Sequence, residues 1–351
     1  MELTTGELLT LCTTAALQAG ADRATSRSLA EATVRAEQRG RSAVGVAHLP
    51  DYLDALHAGA IDGTAAPDIT VRGAVVRVNA RGGTTQRAFD AAVPDLVAAV
   101  QSAGTGVLTV GNAYTAGELG DYTARLADRG YVALAVANAN ASVALGPSGR
   151  PVIGTNPLSF AAPTGDRPLL IDQAVSPTAY VTVRDYARHG RDIPGQWAVD
   201  AAGRPTTDPA AALDGALLPD GGHRMGNLGL LVEVLAGLAG GLWSLDAPSF
   251  LDGGRSPAIG LFILALDPAA FGDAGFPARL AAHLDRLDAG YGVHVPGRTS
   301  RRAGDRDSDR DSDRGDLIHV DDDLYARLFP SPVTTQPATA QPATAQPATP
   351  S

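Results

Sequence analysis

Apolar residues in the first forty positions recur every three to four residues, which is the spacing of an amphipathic helix. The first run ends before Gly20, and its apolar positions are Leu8, Leu9, Cys12, Ala16 and Leu17. A second helical run covers about residues 26–39. We therefore predict two helices at the start of the chain, with its single cysteine, Cys12, as a buried structural thiol.

The middle of the chain alternates between strand-like and helix-like patterns. Residues 68–80 alternate apolar and polar side chains as strands do, and a helical run at 85–102 leads into an apolar strand at 106–110. A second helix near 117–129 precedes a strand at 131–137. Strands that alternate with helices in this way predict an α/β or α+β fold.

The composition changes sharply near the C-terminal end. Residues 301–316 contain no apolar residue larger than Ala, and residues 331–351 are rich in Pro, Ala, Thr and Gln. Neither segment can offset its ordering entropy by burying apolar surface, so we expect a mobile charged loop and a disordered tail. The apolar residues at 317–320 and 324–328 are expected to fold back onto the body.

The charge balance argues against a nucleic-acid partner. The 351-residue chain has 28 basic and 38 acidic residues and a net charge of -10 at pH 7, without the basic excess of nucleic-acid binders. Every basic residue is arginine, which excludes a Schiff-base lysine and a P-loop lysine. Because the sequence shows no signal-peptide pattern and no long apolar run, we expect a cytoplasmic protein without a membrane span.

Local motifs do not identify a familiar kind of site. The sequence has no Gly-x-Gly-x-x-Gly after a strand, no Walker A sequence and no Gly-x-Ser-x-Gly. Its seven histidines are scattered without ligand spacing, so we predict no metal site. Glycines cluster at 145–149, 154–157 and 221–222, where turns are the commoner explanation.

Patterns spread along the whole chain are more specific. The blocks, in order, are Gly45-Val-Ala-x-Leu-Pro-x-Tyr52, Gly154-Thr-Asn-Pro-Leu158, Leu170-Ile-Asp172, Ile193-Pro-Gly-x-Trp-Ala-x-Asp200 and Pro296-Gly297. With these blocks the chain resembles, from residue 5 to about residue 330, the malate/L-lactate dehydrogenase family of the second, non-Rossmann type. That family also contains ureidoglycolate dehydrogenase, sulfolactate dehydrogenase and piperideine-2-carboxylate reductase.

The resemblance implies a composite α/β fold with a non-Rossmann nicotinamide-binding domain, a small-molecule substrate and a homodimer. It places the cofactor, NAD or NADP, in residues 106–260, and the substrate side and dimer contact in residues 1–105 and 261–330. Two segments match positions that face the dinucleotide in relatives. They are Gly154, Thr155 and Asn156, and an expected turn formed by Asp172, Gln173 and Ala174.

The departures from the family pattern fall on the residues that form the active site in relatives. Relatives carry Ser-His-Gly followed shortly by Arg, where this chain has Ala43, Val44 and His48. A second family histidine is replaced by Thr115. One of the lost histidines is the expected proton donor to the substrate carbonyl, a task that neither Val nor Thr can perform. We therefore expect ordinary malate or lactate dehydrogenase activity to be absent.

Three side chains are candidates to replace the lost groups. His48 can donate a proton from the family's arginine position, or it can be a polar wall residue. Tyr114 can act as an acid through its phenol if a cation such as Arg224 lowers its pKa, which is about 10 in peptides. Arg224 has a planar fork suited to a carboxylate or a phosphate.

Two hypotheses follow from these matches and losses. The first is a divergent nicotinamide-dependent oxidoreductase acting on an atypical keto or imino substrate in natural-product metabolism, since hydride transfer tolerates another proton source. The alternative is a non-redox enzyme of the cyclase or isomerase type, or a catalytically silent homologue, without a cofactor. In that case Leu145 and the pair Val181-Thr182 are expected to close or reshape the cleft.

Overall fold

The fold is described by a computed structural model for residues 1–252, 254–298 and 317–329. The expected mobile loop at 301–316 and the expected disordered tail at 331–351 lie outside the described residues. The helices are α1 (Thr5–Gln18), α2 (Arg23–Gln38), α3 (Leu49–His57), α4 (Thr85–Ala103), α5 (Leu119–Ala127), α6 (Tyr180–Arg188), α7 (Pro209–Asp214), α8 (His223–Leu238), α9 (Phe276–Tyr291) and α10 (Asp322–Leu328). The strands are β1 (Glu2–Thr4), β2 (Asp68–Arg72), β3 (Val75–Asn79), β4 (Thr105–Ala113), β5 (Val132–Ala137), β6 (Val143–Ala144), β7 (Pro151–Ile153), β8 (Leu158–Ala162), β9 (Leu169–Gln173), β10 (Ala198–Val199), β11 (Ala216–Leu217), β12 (Ile259–Leu266) and β13 (Leu317–His319).

The elements predicted from periodicity are confirmed up to residue 137, with ends within three residues of those expected. The first helix begins where it does because Thr4 and Glu7 form a capping box, in which each side chain bonds the other's backbone N–H. The side chain of Asp22 caps α2 in the same way, by accepting from the Thr25 N–H. Cys12 is fully buried in α1, as predicted.

The main sheet has seven strands in the order β2-β3-β4-β12-β5-β8-β9. Strands β3 and β4 are parallel, and the other neighbours are antiparallel. Helix α4 packs on β3 and β4, and α5 packs on β5 and β8. The sheet crosses both domain boundaries expected near 105 and 260, because β3 pairs with β4 and β12 lies between β4 and β5. The division into cofactor and substrate parts stays a prediction.

The last described segment returns to the start of the chain. Strand β13 pairs antiparallel with β1, and Ile318, Val320 and Leu328 join the apolar cluster formed by the N-terminal helices. This confirms the prediction that residues 317–320 and 324–328 fold back onto the body. A smaller four-stranded sheet, in the order β10-β11-β6-β7, is built from short strands that lie between β5 and α8 in the sequence.

An ionic cluster ties α2 to α5. The carboxylate of Asp121 accepts hydrogen bonds from Arg35 Nε at 2.7 Å and from Arg39 Nη2 at 2.8 Å. The guanidinium of Arg39 also donates twice to Glu118, at 2.8 Å each. These bonds hold the end of α2 against α5, and with it the loop that leads to His48.

Candidate active site

A cleft that is open to solvent lies where the ends of β4 and β5 and the start of β12 meet the loop before α3. The loop contributes Val44 and His48, and the chain just after β4 contributes Thr115. Ala179, Tyr180 and Val181 lie on its wall as well. The two positions where relatives have histidine, together with the candidate His48, are therefore brought into one place.

His48 is held by a carboxylate that is itself held by an arginine. The Nδ1 atom of His48 lies 2.7 Å from Asp51 Oδ2, one helical turn further along the chain. The guanidinium of Arg184 donates to both oxygens of Asp51, at 3.1 and 3.2 Å. Burial alone would raise the pKa of Asp51, but the hydrogen bonds from His48 and Arg184 outweigh it and lower the pKa. Asp51 is therefore ionised and acts only as an acceptor, so His48 Nδ1 carries a proton.

The other ring nitrogen of His48 faces Thr115, with Nε2 lying 3.3 Å from its hydroxyl oxygen. That hydroxyl donates to the phenol oxygen of Tyr52 at 2.9 Å, and Tyr52 also accepts from Gln86 at 2.9 Å. Burial raises the pKa of Tyr52 to about 12, so this phenol stays neutral and serves to position Thr115. The ring of His48 is thus held on both sides, by Asp51 at Nδ1 and by Thr115 at Nε2, and both His48 and Thr115 line the cleft.

The loop that carries His48 is shaped by the buried carboxylate of Glu37. It accepts from the Val46 N–H and from the Ser42 hydroxyl, each at 2.6 Å. Burial raises the pKa of Glu37, against the effect of these two hydrogen bonds. A side chain at Gly45 would collide with this carboxylate, which accounts for the glycine in the first sequence block.

Tyr114 is placed away from the cleft, contrary to the expectation that it could act as an acid. Its side chain is fully buried, and its hydroxyl donates to the backbone carbonyl of Phe250 at 3.1 Å. Burial raises the pKa of Tyr114, where an acid near neutral pH needs a lowered one. Arg224, the cation invoked to help it, is exposed in the first turn of α8 and does not line the cleft.

Of the first predicted cofactor segment, only Thr155 lines the cleft. Gly154 has no room for a side chain, because a Cβ atom would approach the Ala139 carbonyl oxygen to 2.5 Å. Asn156 has a positive φ of 37° and a buried side chain that donates to Glu233 at 2.8 Å. Its amide therefore fastens this loop to α8, and the fully buried residue does not line the cleft.

The expected turn at 172–174 is wrong, because Asp172 and Gln173 are the last residues of β9. Asp172 accepts from the Gly120 N–H at 2.9 Å, at the start of α5, and burial raises its pKa. Gln173 is exposed and Ala174 is half-buried. None of the three lines the cleft, and a contact with a dinucleotide stays a prediction for them.

Sequence reasoning missed Asp51 and Arg184. Asp51 had a readable signal, because residues three apart on a helix share a face and Asp51 follows His48 at that spacing. Arg184 had none, since 133 positions separate it from Asp51.

The expected closure of the cleft by Val181 and Leu145 is not observed. Val181 forms part of the wall of an open cleft, and Leu145 packs with the cluster that includes Tyr180 and Met225. No group of three His, Cys, Asp or Glu side chains within the described ranges is arranged to hold a metal ion. Nor does any helix in that part of the chain have the length and apolar character needed to span a membrane.

Comparison with known proteins decides the family. Residues 3–328 match the sequence model of Malate/L-lactate dehydrogenase. The chain belongs to this family. The resemblance inferred from the sequence blocks is thereby confirmed, and membership of a dehydrogenase family indicates an oxidoreductase.

Relatives and solved structures support the same assignment. The chain is 37% identical over 293 residues to (2R)-3-sulfolactate dehydrogenase (NADP(+)) of Chromohalobacter salexigens, covering 82% of this chain and 87% of that one. It is 36% identical over 289 residues to the Δ1-pyrroline-2-carboxylate/Δ1-piperideine-2-carboxylate reductase of Pseudomonas putida, covering 81% and 84%. The crystal structure of Δ1-piperideine-2-carboxylate reductase from Pseudomonas syringae is similar with a TM-score of 0.83 and 31% identity, covering 94% of this chain and 99% of that one. These activities give no support for a place in antibiotic or other natural-product biosynthesis.

Proposed function

We propose that this protein is an NAD(P)-dependent oxidoreductase acting on a small keto or imino substrate, with His48 as the residue that transfers the proton. The observation that carries the proposal is the placement of His48, whose Nδ1 is fixed by Asp51 and whose Nε2 lies 3.3 Å from the Thr115 hydroxyl, with both residues lining the cleft. A carboxylate that orients an imidazole is the usual arrangement for a histidine that moves a proton. The NADP(+) named for one relative and the reductase activities of others support a nicotinamide cofactor.

The cleft residues fit a flat amide-bearing ring. Their apolar members offer faces for stacking, and Asn140, Ser142 and Thr155 offer polar groups for a carboxamide. When bound, the cofactor supplies or accepts a hydride at the substrate carbon.

The protein's own part in the reaction is proton transfer. In the reducing direction, protonated His48 donates its Nε2 proton to the carbonyl oxygen or imine nitrogen. The neutral ring that remains keeps the proton on Nδ1, which donates a hydrogen bond to Asp51. The Asp51 carboxylate therefore stabilises the imidazolium before the transfer and fixes the tautomer of the neutral imidazole after it. Thr115 lies next to Nε2 and can hold the ring in position before substrate enters. The proton is then replaced from solvent through the open cleft.

The decisive measurement is cofactor binding. We expect calorimetry to show micromolar binding of NADPH or NADH to the full chain, and Arg224→Ala to weaken it by about 1–3 kcal/mol, as for loss of a hydrogen bond to a charged group. Arg224 is exposed in the first turn of α8, and its neighbour Met225 belongs to the same apolar cluster as Tyr180 of the cleft wall. Arg286→Ala, on the exposed side of α9, is the matched control and should bind normally. Absence of binding for both cofactors at millimolar concentration would contradict the proposal.

We further propose that the protein is a homodimer that pairs through α8 and the segment after it. Leu230, Val234 and Leu238 follow one another at intervals of four residues, and each is about half exposed or more, at 48%, 60% and 71%. Trp243, shortly after the helix, is 50% exposed. A continuous apolar patch of this kind on a chain of this family is best explained by a second copy covering it.

Breaking this patch tests the dimer. Light scattering of the wild-type protein should give the mass of two chains, and Val234→Asp with Leu238→Asp should give the mass of one, because two buried charges oppose association. Leu17→Asp, at an exposed apolar position on α1, is the control and should leave the dimer intact. A monomeric wild-type protein, or a double variant that still dimerises, would contradict the assignment.

A further inference from the structure

Tyr180 brings to the cleft wall a hydroxyl group that the proposed reaction has not used. It is the first residue of α6, and it lines the cleft together with its neighbours Ala179 and Val181. Its side chain is half-buried, and its hydroxyl forms no hydrogen bond with another residue of the described ranges. A hydroxyl in this position can donate to a ligand without giving up a bond within the protein.

The other polar side chains of the cleft are engaged or have a proposed use. His48 and Thr115 lie against each other, with 3.3 Å between Nε2 and the hydroxyl oxygen. The amide of Asn138 donates to the Leu242 carbonyl oxygen at 2.6 Å and accepts from the Gly260 N–H at 2.9 Å, so both of its ends are occupied. The remaining amide and hydroxyl groups are the three proposed to bind the nicotinamide carboxamide, namely Asn140, Ser142 and Thr155. On the described wall, the hydroxyl of Tyr180 is therefore left for the substrate.

The ring of Phe250 joins Tyr180 to the proposed proton donor. Its centre lies 6.2 Å from the centre of the Tyr180 ring and 5.7 Å from that of the His48 ring, and both pairs meet edge to face. All three rings belong to residues that line the cleft. Tyr180 and His48 therefore border the same part of it.

The charges around this part of the cleft favour an anionic group. Among the described residues that line the cleft there is no Asp or Glu. Asp51 is paired with Arg184, so these two bring no net charge to His48. In the proposed reduction His48 is protonated before the transfer, and its positive charge is then not cancelled by the neutral pair. A carboxylate beside the reacting carbon would be attracted to this cation, and its oxygens would still need hydrogen-bond donors.

The hydroxyl of Tyr180 can serve as such a donor throughout the reaction. Burial raises the pKa of Tyr180, against the positive charge of Arg184 one helical turn further on, so the phenol keeps its proton near neutral pH. His48 loses its charge when it gives its proton to the substrate, whereas Tyr180 is a donor before and after that step. Hydrogen bonds from such a group to a carboxylate are stronger than those to a neutral acceptor.

We propose that the hydroxyl of Tyr180 binds a carboxylate that the substrate carries beside its reacting carbon, and that it thereby selects an anionic keto or imino substrate. The inference rests on the proposed reductase function and assigns a specificity-determining residue to it. Three observations carry it: the hydroxyl without a partner in the described ranges, the contacts of Phe250 with both rings, and a described lining without an acidic side chain.

Tyr180→Phe tests the proposal, because phenylalanine keeps the ring that contacts Phe250 and removes only the hydroxyl. Calorimetry on the full chain loaded with NADPH or NADH compares pyrrole-2-carboxylate with pyrrole-2-carboxamide, two planar rings that differ in charge and do not accept a hydride. We expect the wild-type protein to bind the carboxylate more tightly. In Tyr180→Phe the dissociation constant of the carboxylate should rise by about tenfold or more and that of the carboxamide by less, because a hydrogen bond to a charged group is the stronger one.

Tyr186→Phe is the matched control. Tyr186 lies on the same helix, but its ring packs against Trp197 and the residue does not line the cleft, so both affinities should be those of the wild type. Turnover of Δ1-piperideine-2-carboxylate gives a second readout. Tyr180→Phe should raise KM by about tenfold and leave kcat and its pH dependence nearly unchanged, as expected for a residue that binds the substrate and transfers no proton.

An unchanged affinity for pyrrole-2-carboxylate in Tyr180→Phe would overturn the proposal. Tighter binding of the carboxamide by the wild-type protein, or no binding of either ring at millimolar concentration, would overturn it as well. In each of these cases, oxidation of NADPH or NADH by a keto or imino substrate would still uphold the reductase function. Conversely, binding that weakens in Tyr180→Phe as expected, without hydride transfer to any such substrate, counts against the reductase function alone.

Discussion

Replacing His48 by Gln is expected to lower kcat by about 10²- to 10⁴-fold, the usual contribution of a positioned general acid. Glutamine keeps a polar side chain at the cleft but cannot deliver a proton. The dissociation constant for NADPH or NADH should stay within about twofold, because a lost proton donor affects the chemical step and not ground-state binding of the cofactor. Steady-state turnover and calorimetry on the same preparations measure both quantities.

The matched control for this variant is His57→Gln. His57 is an exposed histidine in the last turn of α3, the helix that begins directly after His48, and its loss should leave kcat unchanged. The His48 variant should also lose the dependence of kcat on pH that the donor imposes. A variant with wild-type kcat and an unchanged pH profile would show that another group, or water, supplies the proton.

Replacing Asp121 by Ala is expected to reduce the free energy of unfolding by about 2–4 kcal/mol. Removing one partner of a buried ion pair typically costs about 3–5 kcal/mol. The Asp121 carboxylate is 3% exposed, but its partners Arg35, Arg39 and Arg125 are 25%, 26% and 21% exposed, so solvent recovers part of the loss. Urea unfolding followed by circular dichroism measures the change.

The same residue makes stability depend on pH in a defined direction. Burial would raise the pKa of Asp121, but the hydrogen bond and charge of Arg35, with Arg39 and Arg125, outweigh it and lower the pKa. Its stabilisation is therefore complete above the ordinary value of 3.8 and is lost as the pH falls through the lowered value. Asp121→Asn should consequently flatten the fall in stability in this acid range.

Asp128→Ala is the control for the Asp121 variants, because this aspartate is exposed at the end of the same helix. Its effect on the free energy of unfolding should stay within about 0.5 kcal/mol. Equal losses for the two alanine variants would contradict the view that the ionic cluster ties α2 to α5.

The sequence alone determined the family and most of the helices and strands up to residue 137. Periodicity located α1, α4 and β5 because the spacing of apolar residues and the caps act within a few positions of the chain. The sequence blocks identified the family from residue 5 to about residue 330, where the family model matches residues 3–328, and the comparison with the family pattern revealed the loss of histidine at Val44 and Thr115. These are local facts, so they could be found without coordinates.

Only the tertiary structure decided which side chains lie beside the two positions where relatives have histidine. Tyr114 and Thr115 are consecutive, yet the first is buried against Phe250 and the second lines the cleft, a distinction that no local pattern carried. His48 acquires its orientation from Asp51 three positions away, but Asp51 is fixed by Arg184, which lies 133 positions further on. Such contacts are set by the packing of α3 against residues remote in sequence, and a single sequence records neither the distance nor the direction of those side chains.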